Sequence, residues 1–315
     1  MPRKKRISLN VDKLRLCYKQ PEGLFEDMAQ HSTGDYVQMN DYALHIIDDG
    51  RGQRGTETPT KVIVNVLTSD SILLGTFTFN KTAKYNGLCF FRYENKALYL
   101  CMGYAPDRPP RKYNAIDYLP YVADDLGLQL NNVTELEIAA DVNKNPVPLI
   151  RKLIKCDEGF DMVVNGKRVP DNMREIECYG EYFTRSRAKL CRTPSLYFGQ
   201  KYTDLKLRIY NKSKEIRDNN GCKDYITEWD DFGKQSIYRM EVRMCNDDVN
   251  KWQKHIAENG SYLSEWQGTD KMVCLLGLDE YKRALWEYSA NRLVYWRDKA
   301  TGKKIITLYD IAQTC

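Results

Sequence analysis

Three separate stretches of the chain alternate apolar and charged positions. In DLKLRIYNKSKEI (204–216), Leu205, Leu207 and Ile209 take one side, and Lys206, Arg208, Tyr210 and Lys212 take the other. In ELEIAADVN, Glu137, Ala139 and Asp141 share a side opposite Leu136, Ile138 and Ala140. In IYRMEVRM, Arg239, Glu241 and Arg243 share a side, and Tyr238, Met240, Val242 and Met244 fill the other. Successive strand residues point to opposite faces, so this period predicts three strands, each with one face on a core and one ionic face.

The remaining pattern predicts an α+β fold with mostly antiparallel sheet, packed helices and a small C-terminal region. KVIVNVLTSDSILLGTFTFN and GLCFFRYENKALYLCMGY read as strands joined by short turns. Residues 114–127 read as a helix with Pro120 as a kink point, and 133–143 as a strand. Asn145, Pro146 and Pro148 open a helix through LIRKLIKC, and Asn165-Gly166 is a two-residue hairpin turn. Two strands flank a turn at 200–203, and a third covers 237–245. A helix follows from an Asp247 cap to Gly260, then another over 279–291, then the hairpin LVYWRDKATGKKIITLY. The stretches 48–60 and 105–112 are loops, rich in glycine and proline respectively.

Composition narrows the class. A chain of 315 residues, 42% hydrophobic and 29% charged, has material for one large or two medium cores. No apolar run is long enough to span a membrane. The basic start, MPRKKR, lacks the apolar stretch of a secretory signal and reads as a solvated arm, with a nuclear address as the alternative in a eukaryotic cell. The ten cysteines include no C-x-x-C pair, which disfavours zinc and redox motifs and predicts reduced thiols in a cytoplasm. With only His31, His45 and His255 in the chain, far apart in sequence, a metal site built mainly from imidazoles is disfavoured, whereas one built from carboxylates is open.

The net charge of +5 is mild, but its distribution is uneven. From Glu181 to Arg217 there are ten Lys/Arg against three acids, with Tyr197, Phe198, Tyr202 and Tyr210 among the aromatics between them. Lys201, Lys206 and Lys214 belong to this run. Cations for phosphates and rings for bases suit a strand of nucleic acid. A lysine-rich exposed hairpin would give the same composition. If the three ionic strands are neighbours, Glu137, Asp141 and Glu241 bring oxygen ligands suited to Mg²⁺ or Mn²⁺, beside Arg208, Lys212, Arg239 and Arg243. Tyr210 among those cations becomes a candidate nucleophile, since positive charge favours the phenolate. Cross-strand Arg–Glu pairs on an ordinary half-exposed sheet give the same pattern.

The order and spacing of LEIAADV (136–142), LYFGQKYTD (196–204), LRIYNKSKEI (207–216) and YRMEVRM (238–244) resemble rolling-circle replication initiators. The type is that of small staphylococcal plasmid Rep proteins, with kin among conjugative nickases and phage initiation factors. The resemblance covers roughly residues 60–260 and implies a nickase sheet architecture of the His-x-His superfamily, here without its histidine pair. It implies 61–260 as a DNA-nicking domain; outside it, residues 1–60 read as an arm and first elements, and the aromatic-rich 261–315 as a region that packs or binds DNA. It further implies that Tyr210 attacks an origin phosphodiester, leaving a 5′-phosphotyrosyl link and a 3′-OH primer. Arg208 and Lys212 would clamp the phosphate, Glu137, Asp141 and Glu241 would hold the metal, and Arg239 and Arg243 would support the acids or touch the DNA backbone. Origin DNA, single-stranded or cruciform at the nick, a host helicase and polymerase, and a second copy of the chain are the implied partners. Tyr197, Tyr202 and Tyr225 are rival nucleophiles. A conjugative relaxase, a DNA-binding regulator without catalysis and a nuclease using metal-activated water are the rival functions.

Overall fold

The computed structural model describes residues 7–51, 58–100, 115–155, 159–170, 195–199, 205–219, 221, 223, 225, 226, 229, 232, 235–259, 266 and 268–315. The chain is α+β, and every strand pairing described here is antiparallel. It divides into two compact units, each discontinuous in sequence. The first comprises Met1–Val11, Glu137–Trp252 and Leu278–Cys315, the second Asp12–Leu136 and Gln253–Gly277. Two long strands, β1 (Ile7–Lys19) and β7 (Gln129–Val142), contribute residues to each.

In the second unit the strand order is β7-β1-β6-β5-β4-β3-β2. Here β2 is Tyr36–Gln38, β3 Tyr42–Asp48, β4 Lys61–Thr68, β5 Leu73–Asn80 and β6 Leu88–Tyr93. The residues that alternate inward (Leu44, Ile46, Val64, Phe77, Phe79, Phe91) are buried, and Phe77 packs 4.6 Å from Phe91. Gly75 is required by that packing, because a Cβ there would come within 2.4 Å of the Arg92 carbonyl oxygen and 2.5 Å of the Phe91 ring. This unit also carries α1 (Leu24–Ala29), α2 (Asn95–Leu100) and α3 (Ala115–Asp125). On the buried face of β3, the Tyr42 ring meets Tyr118 of α3 edge-on and its hydroxyl donates to Asp125 Oδ2 at 2.7 Å. The sequence reading of ENKALYL as strand is corrected: Asn95–Leu100 is a helix. Asn95 explains the switch, since its side-chain amide donates to the Asp12 carbonyl at 2.7 Å and so fixes the chain where it leaves β6. A short apolar run carries no period that separates strand from helix.

In the first unit the order is β10-β11-β12-β7-β1, where β10 is Leu196–Phe198, β11 Lys206–Asn211 and β12 Tyr238–Cys245. A second sheet runs β14-β13-β8-β9, from Lys304–Thr307, Val294–Asp298, Phe160–Val164 and Lys167–Arg168. Its β8–β9 turn uses Asn165 at φ 49° and Gly166 at φ 76°, the left-handed pair that a two-residue hairpin needs. Helix α4 (Val147–Lys155) starts where the Val147 N–H donates to Asn145 Oδ1 at 3.0 Å. Helix α5 is Lys212–Asp218, α6 Asn246–Glu258, α7 Thr269–Leu275, α8 Asp279–Leu293 and α9 Leu308–Thr314; α7 and the part of α6 from Gln253 on belong to the second unit. A capping box of Thr307 and Asp310 begins α9. Among the described residues no helix is long and apolar enough to cross a membrane.

Candidate active site

Strands β11 and β12 set Lys206 opposite Arg243, Arg208 opposite Glu241 and Tyr210 opposite Arg239. Residues directly opposite share a face, so these six form one ladder. On the reverse side Leu207 and Ile209 meet Val242 and Met240, all buried. The alternation in sequence thus yields an apolar face on a core and an ionic face away from it.

One end of the ionic face is closed. Asp141 and Arg239 are both fully buried and grip each other through two bonds: Arg239 Nε donates to Asp141 Oδ1 and Nη2 to Oδ2, each at 2.7 Å. Trp229 Nε1 donates to the same Oδ2 at 2.9 Å, and its ring lies 5.8 Å from the guanidinium. A buried ion pair persists when its hydrogen bonds are this complete. Both oxygens of Asp141 are therefore occupied by N–H donors.

Next to that closed end stands Tyr210. Its ring is buried, but its hydroxyl sits between opposite charges, donating to Glu241 Oε2 at 3.0 Å and accepting from Lys212 Nζ at 3.2 Å. Lys212 reaches this point from a helix rather than from the strand. Asn211 ends β11 and caps α5, its Oδ1 accepting from the Lys214 N–H at 2.8 Å, so Lys212 opens the helix and folds back. The buried ammonium also lies 2.6 Å from Glu215 Oε2. Arg208 spreads its guanidinium 4.0 Å from the Tyr210 ring centre and 5.8 Å from that of Tyr197. Burial works against the Arg208 charge, but Tyr197, Tyr210, Glu241 and Glu215 outweigh it and raise its pKa above the ordinary arginine value.

Glu137 and Glu241 each offer a carboxylate oxygen, and these lie within 4.8 Å of one another. Hard oxygen donors at that separation fit a hard divalent cation that keeps several waters, as Mg²⁺ or Mn²⁺ does. Arg243 Nε lies 3.9 Å from Glu137 Oε1, beside this pair. Lys206 stands half-buried at the open end of the ladder, and Lys214 pairs with Asp218 one turn along α5. Lys201 lies outside the described residues, as does Tyr202. Of the other rival tyrosines, Tyr197 pairs across from Arg208, and Tyr225 carries Lys223 Nζ at 5.9 Å from its ring. Two residues were not foreseen. Glu215 had a signal, because i to i+3 spacing from Lys212 places the two charges together once a helix begins there. Trp229 had none.

No protein-family model matches the chain, and no curated protein matches it. Among solved structures, it is similar to a rolling circle replication initiator protein from Geobacillus stearothermophilus, with a TM-score of 0.38 and 13% identity over 94% of this chain and 89% of the other. That likeness is distant.

Proposed function

We propose that the chain is a DNA-nicking initiator of rolling-circle replication, with Tyr210 as the nucleophile and a divalent cation at Glu137 and Glu241. The observation that carries this reading is the Tyr210 hydroxyl, held at 3.0 Å from a carboxylate and 3.2 Å from an ammonium. Many buried tyrosines have one polar partner; this one has a proton acceptor and a cation on the same oxygen. Glu241 Oε2 takes the phenolic proton, and Lys212 and Arg208 stabilise the phenolate that results. The phenolate oxygen bonds to phosphorus, and the bond from phosphorus to the 3′ oxygen breaks. The departing 3′ oxygen takes one proton from a water molecule, and Glu241 returns the phenolic proton to the hydroxide left behind. The products are a 5′-phosphotyrosyl link and a 3′-OH, and no bond energy is lost to hydrolysis, so the strand can be resealed. Glu137 and Glu241 would hold Mg²⁺ or Mn²⁺, which would supply positive charge to the phosphate oxygens.

Asp141 and Arg239 act in this reading as positioning residues. They fix β7 against β12, and so fix Glu137 with respect to Glu241. Arg243 and Lys206 offer phosphate contacts along the open ladder. The experiment is relaxation of a supercoiled plasmid carrying the DNA that flanks the chain's own gene, with Mg²⁺ or Mn²⁺. Protein attached to the 5′ end supports the reading. Nicks that carry no protein and are equally frequent with Tyr210→Phe would replace it with hydrolysis by activated water.

A further inference from the structure

The second unit has its own unassigned surface. A single row of side chains crosses six strands: Tyr36 opposite His45, His45 opposite Asn65, Asn65 opposite Thr76, Thr76 opposite Arg92 and Arg92 opposite Arg15. None of the six is buried, whereas their strand neighbours Leu44, Val64, Phe77, Phe91 and Leu16 are. The row therefore lies on the face turned away from the core. Five strand spacings make it about 24 Å long.

Its chemistry changes in order along that length. At one end Tyr36 is 62% exposed and stacks on His45 with ring centres 4.3 Å apart and planes 4° from parallel, so its outer surface is open. In the middle Thr76 Oγ1 donates to Asn65 Oδ1 at 2.9 Å, which orients the Asn65 amide and directs its NH₂ elsewhere. At the other end Arg92 is exposed, and Arg15 Nη1 lies 3.1 Å from Glu135 Oε2. Arg15 is thus partly neutralised, and Arg92 is the cation offered to a ligand. A water-exposed aromatic stack costs solvation that an ordinary sheet edge avoids with lysine or proline.

We propose that this face binds a single strand of DNA, with a base stacked on Tyr36, a base edge at Asn65 and a phosphate at Arg92. An open ring, an amide and a cation in a row match the three parts of a nucleotide chain. A duplex keeps its bases stacked on each other and cannot offer one to Tyr36. The inference rests on the proposal that DNA is the substrate, and it adds where an unpaired strand lies.

The test uses the full chain with Tyr210→Phe and no divalent ion, so that binding is read without cleavage. Anisotropy of a labelled single-stranded oligonucleotide of about 12 nucleotides is measured over a salt series. Tyr36→Ala weakens binding by about 5- to 100-fold, Tyr36→Phe does not, and Arg92→Gln lowers the salt slope by roughly 0.7. Unchanged melting curves exclude misfolding of these surface variants. Equal affinity and slope for parent, Tyr36→Ala and Arg92→Gln would overturn the proposal. So would an equal loss on duplex, or tighter binding of RNA of the same sequence. Because the readout is binding, these losses together with a wild-type chain that leaves supercoiled DNA intact in Mg²⁺ or Mn²⁺ would sink the proposed function and leave the platform standing.

Discussion

Replacing Asp141 with asparagine isolates what the closed end of the ionic face does. The substitution keeps the shape of the side chain but removes the charge opposite Arg239, which is fully buried and donates two 2.7 Å bonds to this carboxylate. Removing one partner of a buried pair strands the other charge away from water, at a cost of about 3–5 kcal/mol. At roughly 2 °C per kcal/mol for a chain of this size, the melting temperature falls by about 6–10 °C. The double variant Asp141→Leu with Arg239→Met removes both charges. It also takes the acceptor from the Trp229 N–H, a loss of about 1–3 kcal/mol. Thermal melts of parent, singles and double by circular dichroism form a cycle with a coupling of about 2–4 kcal/mol. A shift below 2 °C for Asp141→Asn, or a double variant no more stable than the sum of the singles predicts, would refute the reasoning. Mn²⁺ binding measured on the same Asp141→Asn protein at low temperature separates the two roles of this acid: it is retained if Asp141 positions the glutamates and lost if Asp141 holds the ion.

The other predictions concern the open part of the face and one part-buried ion pair. Glu137→Gln weakens Mn²⁺ binding at least about tenfold by calorimetry, with little change in melting temperature; undiminished binding would remove Glu137 from the metal set. Lys212→Met slows nicking by about 10- to 100-fold and moves the alkaline rise of the pH–rate profile to higher pH, because a charge that favours the phenolate is gone; an unshifted profile would assign Lys212 a purely structural role. Asp161 receives a 2.6 Å bond from Arg168 Nε, and this bond, with the charges of Arg168 and Arg297, lowers its carboxyl pKa below the usual value. A depressed carboxyl stabilises the fold above its unfolded pKa, so Asp161→Asn costs up to about 1 kcal/mol at neutral pH and nothing once the pH falls through the folded pKa. Urea melts of both proteins from pH 7 to pH 2 check this, and a difference independent of pH would contradict it.

Which residues share a strand face was legible in the sequence, since the period of a strand is two and the apolar set fixes the register. Lys206, Arg208 and Tyr210 do face Arg243, Glu241 and Arg239. What covers that face was not legible. Asp141 looks like Glu137 on the strand pattern, yet it is sealed under Trp229, which comes from a stretch with no hydrophobic period. Lys212 was expected to continue the strand. Asn211 caps a helix instead, and Lys212 still arrives at the Tyr210 hydroxyl from a different backbone. ENKALYL shows the same limit at a smaller scale, because side-chain bonds from Asn95 to Asp12 decide what an ambiguous apolar run cannot. The stacked pair of Tyr36 and His45 needed the register of β2 on β3, and a three-residue strand carries too little pattern to reveal it.

The most direct test of the tyrosine chemistry is to incubate the protein and Mn²⁺ with single-stranded oligonucleotides tiled across the DNA beside its gene, digest it and map the peptides by mass. A nucleotide attached to the peptide that contains Tyr210, and absent with Tyr210→Phe, is the predicted result. An adduct on Tyr197, Tyr202 or Tyr225, or cleaved DNA with no adduct at all, would contradict it.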